Sequence, residues 1–440
     1  MAARAGSGTA RGRRAGDRHV ELMPLFIIGG LALFALAMTM WRGSAAELTP
    51  SLRIVAPGGQ GAVGTPEAPP PTSLVVPPLP RGVVGDSWRR EEGTARLRRP
   101  DGSRLRLTLD VRAQAGVEKL LRRRRVAYSA VVIIDARTGA VRVYAEHREK
   151  GEPAGAGHHL TTARAPAASV FKIVTTAALL EAGVDPETRT CFHGGVHGIT
   201  SWHLKDRPKF DKRCQTLTEA LAHSSNVVFA RRALRHLERG VLAVKARELL
   251  FGRTIPFDVK TRPSRFSEGR SDLRRARAAA GFVGATLSPL HAAVIGAALA
   301  NGGIAMRPFL VQADSLQPEF ERVPEELGRV VPAEHAATLV RMLATTTIDG
   351  TARRAFRRWP RDLQHIGIAG KTGSLTGKGG KTYRHYTWFV GAAPAADPEI
   401  GFAVLAVNGN RARAKAADLG RDALAIYFDD RRFKPEGPGL

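Results

Sequence analysis

Three short motifs constrain this chain more than its composition does. They are Ser169-Val-Phe-Lys172, Ser224-Ser-Asn226 and Lys371-Thr-Gly373, in that order. A serine hydroxyl is a poor nucleophile at neutral pH and needs a base within hydrogen-bond reach. Lys172 stands three residues after Ser169, so at a helix start the two share a face. It can take the serine proton only if burial or a neighbouring cation lowers its pKa, and Lys371 is a candidate neighbour. A helix N-terminus also brings backbone N–H groups toward the nucleophile. The second motif offers Ser224 as a proton relay to a leaving amine, and Asn226 as a partner for a substrate amide and for Lys172. In the third, Lys371 and Thr372 hold a carboxylate beside a strand, and Gly373 lets backbone approach closely. The N–H of Ser374, with that of Ser169, completes an oxyanion hole. A fold that uses all three motifs must return the far end of the chain to its middle.

Taken singly, each motif has an ordinary explanation. A serine and a lysine three apart occur by chance in many chains. Ser and Asn favour helix caps. A Lys-Thr-Gly run hints at phosphate, but it lacks the spacing of a phosphate-binding loop. What distinguishes this chain is the order of the three, each in a suitable local context.

Composition bounds the partners. The 440 residues are 43% hydrophobic, enough for a substantial core, and carry a formal net charge of +27. The basic residues are scattered and no nucleic-acid-binding motif is visible, which excludes nucleic acid as the expected partner. An Arg-rich solvated surface attracts anionic polymers instead. Residues 22–41 form an apolar run long enough to span a bilayer as a helix. Arg4, Arg11, Arg13, Arg14 and Arg18 precede it, so residues 1–21 are expected to stay cytoplasmic and the remainder to be exported. The run is longer than the apolar core of a cleaved signal peptide, which favours an uncleaved anchor in the inner membrane. Residues 42–85 are rich in Pro and Gly and read as an extended tether. Residues 86–104 are a short lead-in, and 105–436 a single folded domain.

Within that domain, alternating Leu105, Leu107 and Leu109 predict a short strand, and a helix follows with Leu120 and Leu121 near its end. Residues 130–135 read as a buried strand, Thr138-Gly139 as a turn and 140–145 as the returning strand. Helices are expected over 167–182, 216–237, 290–300, 333–343 and 414–427, and strands over 366–370, 387–391 and 402–407. This pattern gives an α+β domain whose two ends meet in one antiparallel sheet flanked by helices, with a mostly helical subdomain between.

With these elements in place, the chain resembles the transpeptidase domain of penicillin-binding proteins, a serine acyltransferase fold shared with β-lactamases. Leu107-Thr-Leu-Asp110 with Gln114 looks like that family's domain opening, and Pro166-Ala-Ala-Ser169 like its nucleophile segment. Leu217-Thr-Glu-Ala-Leu221, Pro289-Leu290, Ala300-Asn-Gly-Gly303, Gly350-Thr-Ala352 and Trp388-Phe-Val-Gly391 are similarly placed. The resemblance implies a peptidoglycan D,D-transpeptidase that is membrane-anchored and monofunctional, with its catalytic domain periplasmic. It implies Ser169, Lys172 and Ser224 as catalytic residues and Asn226, Lys371, Thr372, Gly373 and Ser374 as substrate-binding ones. The implied partners are peptidoglycan stem peptides, β-lactam antibiotics, the membrane and a membrane glycosyltransferase; no cofactor and no metal are implied. Two departures stand out. No large pedestal precedes the domain, and Gly281-Phe-Val-Gly284 matches the family's Gly-Gln-Gly-like segment only loosely.

Cys191 and Cys214 flank His193, His197, His203, Asp206 and Asp211. A disulfide fits an oxidising compartment. Free thiols and a zinc site are the alternatives, and the spacing fits no standard zinc pattern. Other functions compatible with Ser169 are a D,D-carboxypeptidase, a β-lactamase and a non-catalytic β-lactam sensor. A class A β-lactamase needs a Glu-x-x-Leu-Asn pattern, which is absent, and a class D enzyme usually lacks the asparagine that stands here at 226.

Overall fold

Tyr128–Asp135 is buried at every position but the last. A strand with no polar alternate must be covered on both faces. The computed structural model describes residues 79, 88–91, 93–99, 101–150, 160–195, 198–379, 382–409 and 412–429, and there this strand lies inside a five-stranded sheet. The order is Ala369–Gly379, Thr382–Ala393, Ile400–Asn408, Tyr128–Asp135, Val141–Arg148, every neighbour antiparallel. The two ends of the domain therefore meet where Ile400 pairs with Asp135 and Val407 with Tyr128. Side chains alternate between the faces, as the two-residue period of a strand requires. Ala130, Val132, Ala403 and Leu405 join Leu290, Ala293 and Ala297 of the apolar helix Pro289–Ala300. Val131, Ile133, Phe402 and Val404 join Val117 and Leu121 of Val111–Arg124, and Leu419 and Leu424 of Ala416–Asp429.

A mostly helical part contains Lys172–Glu181, Leu217–Ala222, Asn226–His236, Val241–Glu248, Asp272–Ala279 and Ala333–Asp349. Two hydrogen bonds pin the chain where it passes from the sheet to these helices. Trp388 Nε1, on the sheet, donates to Pro166 O at 2.9 Å, and Ala167 N donates to Ala285 O at 3.0 Å.

The structure departs from the sequence expectations at several points. The single helix expected over 216–237 is two, Leu217–Ala222 and Asn226–His236, because Ser224 adopts φ +58 and breaks the ladder between them. Lys371-Thr-Gly373 does not follow a strand; it lies inside Ala369–Gly379. The lead-in expected over 86–104 is itself strand-forming. Trp88–Glu91 and Thr94–Arg98 pair with each other and then with Arg104–Leu107, in a second five-stranded sheet completed by Val311–Asp314 and Gln317–Glu321.

The tail 1–21, the anchor 22–41 and the tether 42–85 fall outside the described residues, except for Leu79. That residue is not free tether. Its N–H donates to Asp258 O, and its side chain is 6% exposed within the main core. Among the described residues no helix is long and apolar enough to cross a membrane.

Burying a leucine here has a measurable consequence. Leu79→Ala is expected to lower the unfolding free energy by about 2 kcal/mol, through lost transfer energy and a residual cavity. Urea denaturation checks this, and an unchanged midpoint would return residue 79 to the tether.

Candidate active site

The nucleophile turn is shaped by its backbone. Ala168–Phe171 is one turn of 3-10 helix that runs into Lys172–Glu181. Residues i and i+3 eclipse in a 3-10 turn, which sets Lys172 over Ser169. Ala168 is held at φ +50, a conformation that L residues rarely adopt. It can hold there because its neighbours are locked: Val170 and Phe171 are buried, and the Phe171 ring stacks on Phe266 with centroids 4.2 Å apart. Ser169 is left half-buried between them, facing a cavity.

Lys172 is fully buried, and its Nζ meets three oxygens from three segments. Ser169 Oγ is at 2.9 Å, Asn226 Oδ1 at 2.8 Å and Ala280 O at 2.7 Å. The nitrogen also sits 5.5 Å from the centre of the Phe229 ring. Burial, and secondarily the charge of Lys371, hold the Lys172 amine well below its ordinary pKa of 10.5. With Asn226 Oδ1 and Ala280 O accepting two of its hydrogens, the third contact of Nζ is with Ser169 Oγ.

Ala280 reaches the amine because the next residue is glycine. Gly281 has φ +82, and a Cβ there would lie 2.1 Å from Ala168 O. The Gly281-Phe-Val-Gly284 segment, despite its loose match, forms a wall of the cavity through Gly281 and Phe282. Thr175 Oγ1 donates to Ala279 O at 2.8 Å and fastens that wall to the lysine's own helix.

Among the described residues the motif strand is the sheet edge, and no strand pairs with its outer rim. Where it passes the nucleophile turn, a Cβ on Gly373 would stand 3.1 Å from Val170 Cγ2 and 3.3 Å from Ala167 O. Ser374 lines the 440 Å³ cavity together with Ser169 and Asn226. Lys371, expected as a carboxylate anchor, is fully buried. Its Nζ donates to Thr372 O at 2.9 Å, and burial lowers its pKa to about 7. Its closeness to Lys172 is electrostatic. The Thr372 hydroxyl hydrogen-bonds that of Thr351.

Ser169, Lys172 and Asn226 are thus in direct hydrogen-bonded contact, while Gly373 and Ser374 flank them. Ser224, at the helix break, is not among the residues that line this cavity; it lines a second one that Asn226 also lines, and no side chain among the described residues hydrogen-bonds its hydroxyl. Two participants had no sequence signal that named them. One is the Ala280 carbonyl, a backbone atom. The other is His385 on the neighbouring strand, which pairs with Thr376 in register. Its ring lies 3.3 Å from Ser374 Oγ through Nε2 and 3.1 Å from Thr376 Oγ1 through Nδ1.

Cys191 and Cys214 are bridged, and they face each other across the antiparallel hairpin Thr190–Phe192/Arg213–Gln215. His193 is buried and donates to Asp211. Burial pushes the Asp211 carboxyl up, but hydrogen bonds from Arg231, the Arg207 amide and His193 outweigh it, leaving the group well below the usual range. Among the described residues no group of three or more His, Cys, Asp and Glu is arranged to hold a metal ion; His197 lies outside them.

Residues 129–425 match the penicillin binding protein transpeptidase domain. The peptidoglycan D,D-transpeptidase PbpA of Mycolicibacterium smegmatis is 30% identical over 280 residues, 59% of this chain and 54% of that protein. Its namesake in Mycobacterium tuberculosis H37Rv is 30% identical over 283 residues, with the same coverage. The chain spans about half the length of these relatives. The crystal structure of PBPA from Mycobacterium tuberculosis aligns with a TM-score of 0.61 at 21% identity, over 74% of this chain and 82% of that one. The D,D-transpeptidase domain of a peptidoglycan glycosyltransferase from Eggerthella lenta aligns at 0.60 and 23% identity, over 77% and 96%. Both likenesses are of fold, and both agree with the α+β architecture described above.

The two depressed lysines make a stability prediction. Between about 7 and 10.5 the unfolded chain holds a proton on Lys371 that the folded chain has released. Stability therefore rises with pH through that window, and the full penalty of a buried ammonium is present below it. Lys371→Met is expected to be more stable than the parent at neutral pH and to show a flatter rise. Urea midpoints across the window check this; parallel slopes would refute it.

Proposed function

Because this chain belongs to the penicillin-binding protein transpeptidase family, matched over residues 129–425, we propose that it is a peptidoglycan D,D-transpeptidase acting through a Ser169 acyl-enzyme. The observation that carries the reading is the Lys172 amine, buried and held at 2.9 Å from Ser169 Oγ by two other acceptors. Ser169 Oγ attacks the carbonyl between the two D-alanines of a stem peptide, and its proton passes to Lys172. The developing oxyanion is met by the N–H groups of Ser169 and Ser374. The departing D-alanine amine takes a proton by way of Ser224, whose hydroxyl is left for the substrate. An amine from a second stem peptide then resolves the acyl-enzyme. A β-lactam follows the same first half and stops at the ester.

The stem peptide lies extended along the open side of Ala369–Gly379, adding to a sheet edge as peptides commonly do. The hydroxyls of Thr372 and Ser374 hold its terminal carboxylate, and Asn226 its amide. Lys371 supplies positive field from behind and helps keep Lys172 neutral. The apolar run at 22–41 supports an anchor in the inner membrane with the domain on the extracytoplasmic side. That placement brings it to nascent peptidoglycan and to a membrane glycosyltransferase.

Time-resolved mass spectrometry after addition of benzylpenicillin separates the readings. A long-lived adduct is the expected result; rapid turnover of the adduct would identify a β-lactamase instead. Ser169→Ala is expected to lose covalent labelling by a fluorescent penicillin while remaining folded. Lys172→Arg puts a permanent cation there and supplies no base. It is expected to slow acylation by at least about a hundredfold, the usual lower range for loss of general-base catalysis. Wild-type labelling in Ser169→Ala would sink the assignment.

A further inference from the structure

Basic residues that are scattered along the sequence converge on one cavity in the fold. It measures 640 Å³ and lies between the short helix Arg353–Phe356 and the chain entering Ala416–Asp429. Arg354, Arg357 and Arg358 line it from one side, and Arg413, Lys415 and Arg421 from the other. Asp418 is the one carboxylate in the lining. We propose that this cavity is a binding site for a compact anion carrying several charges, of the diphosphate class. It shares no lining residue with the cavity that holds Ser169, and the inference does not depend on the reading of that serine.

Most of the positive charge there has no counter-charge in the protein. Arg421 is matched: it is 9% exposed, pairs with Asp422, and donates from Nη1 to Ala355 O at 3.0 Å. The other five cations are exposed, and among the described residues no carboxylate pairs with any of them. Asp418 stands in the first turn of its helix, where the backbone dipole already favours a carboxylate. One carboxylate against five unmatched cations leaves the cavity strongly positive. A cleft of one sign focuses its field and concentrates the opposite charge. A ligand with a single carboxylate answers one of these cations. A diphosphate answers several, and its paired oxygens match the fork of a guanidinium.

The cations are exposed, but the backbone that carries them is fixed. Asn408, 1% exposed, holds the loop before the helix: Nδ2 donates to Ala414 O at 2.9 Å, and Oδ1 accepts from Arg413 N at 2.8 Å. Thr387, 4% exposed, accepts from Ala416 N at 3.0 Å through Oγ1. The Arg421 bond to Ala355 O ties that helix to the opposite wall. Thr351, also in the lining, hydrogen-bonds Thr372 of the Lys371-Thr-Gly373 motif. The volume lies within the roughly 300–1,000 Å³ usual for small-ligand sites. The apolar part of the lining is alanine alone, which offers little surface to a lipid tail.

The test is calorimetric titration of the full chain with inorganic pyrophosphate, without divalent cations. Saturable binding at a single site is expected. Arg413→Ala and Arg357→Ala, one from each wall, are each expected to weaken it about tenfold, the size of one charge-assisted hydrogen bond. Arg353→Ala removes the same charge from the same short helix, but Arg353 does not line the cavity and pairs with Asp349. It is expected to change the affinity by less than about twofold. Geranyl diphosphate carries the same group on a prenyl tail, and equal affinity is expected for it; tighter binding would keep the site and assign it to a lipid-borne diphosphate. Unchanged urea midpoints show that the losses are of binding and not of structure. Absence of saturable pyrophosphate binding at millimolar concentration would overturn the site. Equal losses in Arg353→Ala and Arg413→Ala would overturn it too, since they mark diffuse attraction to a basic surface.

Discussion

A lysine amine sealed from water is the constraint on which the rest of the site depends. Burial disfavours the ammonium form, so enclosure, with the charge of Lys371 second, holds the Lys172 amine well below its ordinary pKa. An enclosed amine also needs hydrogen-bond partners, since an unpaired buried polar group is costly. Those partners arrive from three separate stretches of chain: the nucleophile turn, the start of Asn226–His236, and the residue before Gly281. The fold is, in this sense, an arrangement for meeting at one nitrogen.

Each of the three stretches is held by an unusual backbone feature. Ala168 and Ser224 are two of the four non-glycine residues with positive φ among those described, and both flank the site. Gly281 makes a close approach that no side chain would permit. Strained conformations persist where the surroundings over-determine them, and they cluster at functional sites. Here the surroundings are concrete. The Phe171 ring is stacked into the core, Trp388 hydrogen-bonds Pro166, and the Thr216–Glu219 capping box starts the helix that ends at the Ser224 break. Strain at the site is offset by ordinary packing around it.

The edge strand and the hairpin line two different cavities. On one side, Ala369–Gly379 offers an open strand edge, and an extended peptide can match its hydrogen-bonding pattern. On the other, a short hairpin that could not hold itself is clamped by a disulfide and by Arg231.

The residues of the three motifs were legible in the sequence because their chemistry is local: Ser169 with Lys172 three residues on, the Ser224-Ser-Asn226 triplet, and Lys371-Thr-Gly373 next to an expected strand. The buried strands at Tyr128–Asp135 and Ile400–Asn408 were legible for the same reason, since their middles, at 130–134 and 402–407, are short continuous apolar runs. The helix break at Ser224 was not legible, because serine is no helix breaker; tertiary contacts impose its φ of +58. Nor was the burial of Lys371, for a strand pattern does not say which face a neighbouring turn will cover. The Ala280 carbonyl carries no signature at all, as every residue has one. Sequence alone determined which groups were available for acyl transfer. Which oxygens reach the Lys172 amine only the tertiary structure decided, because Asn226 and Ala280 stand 54 and 108 residues from it in the chain.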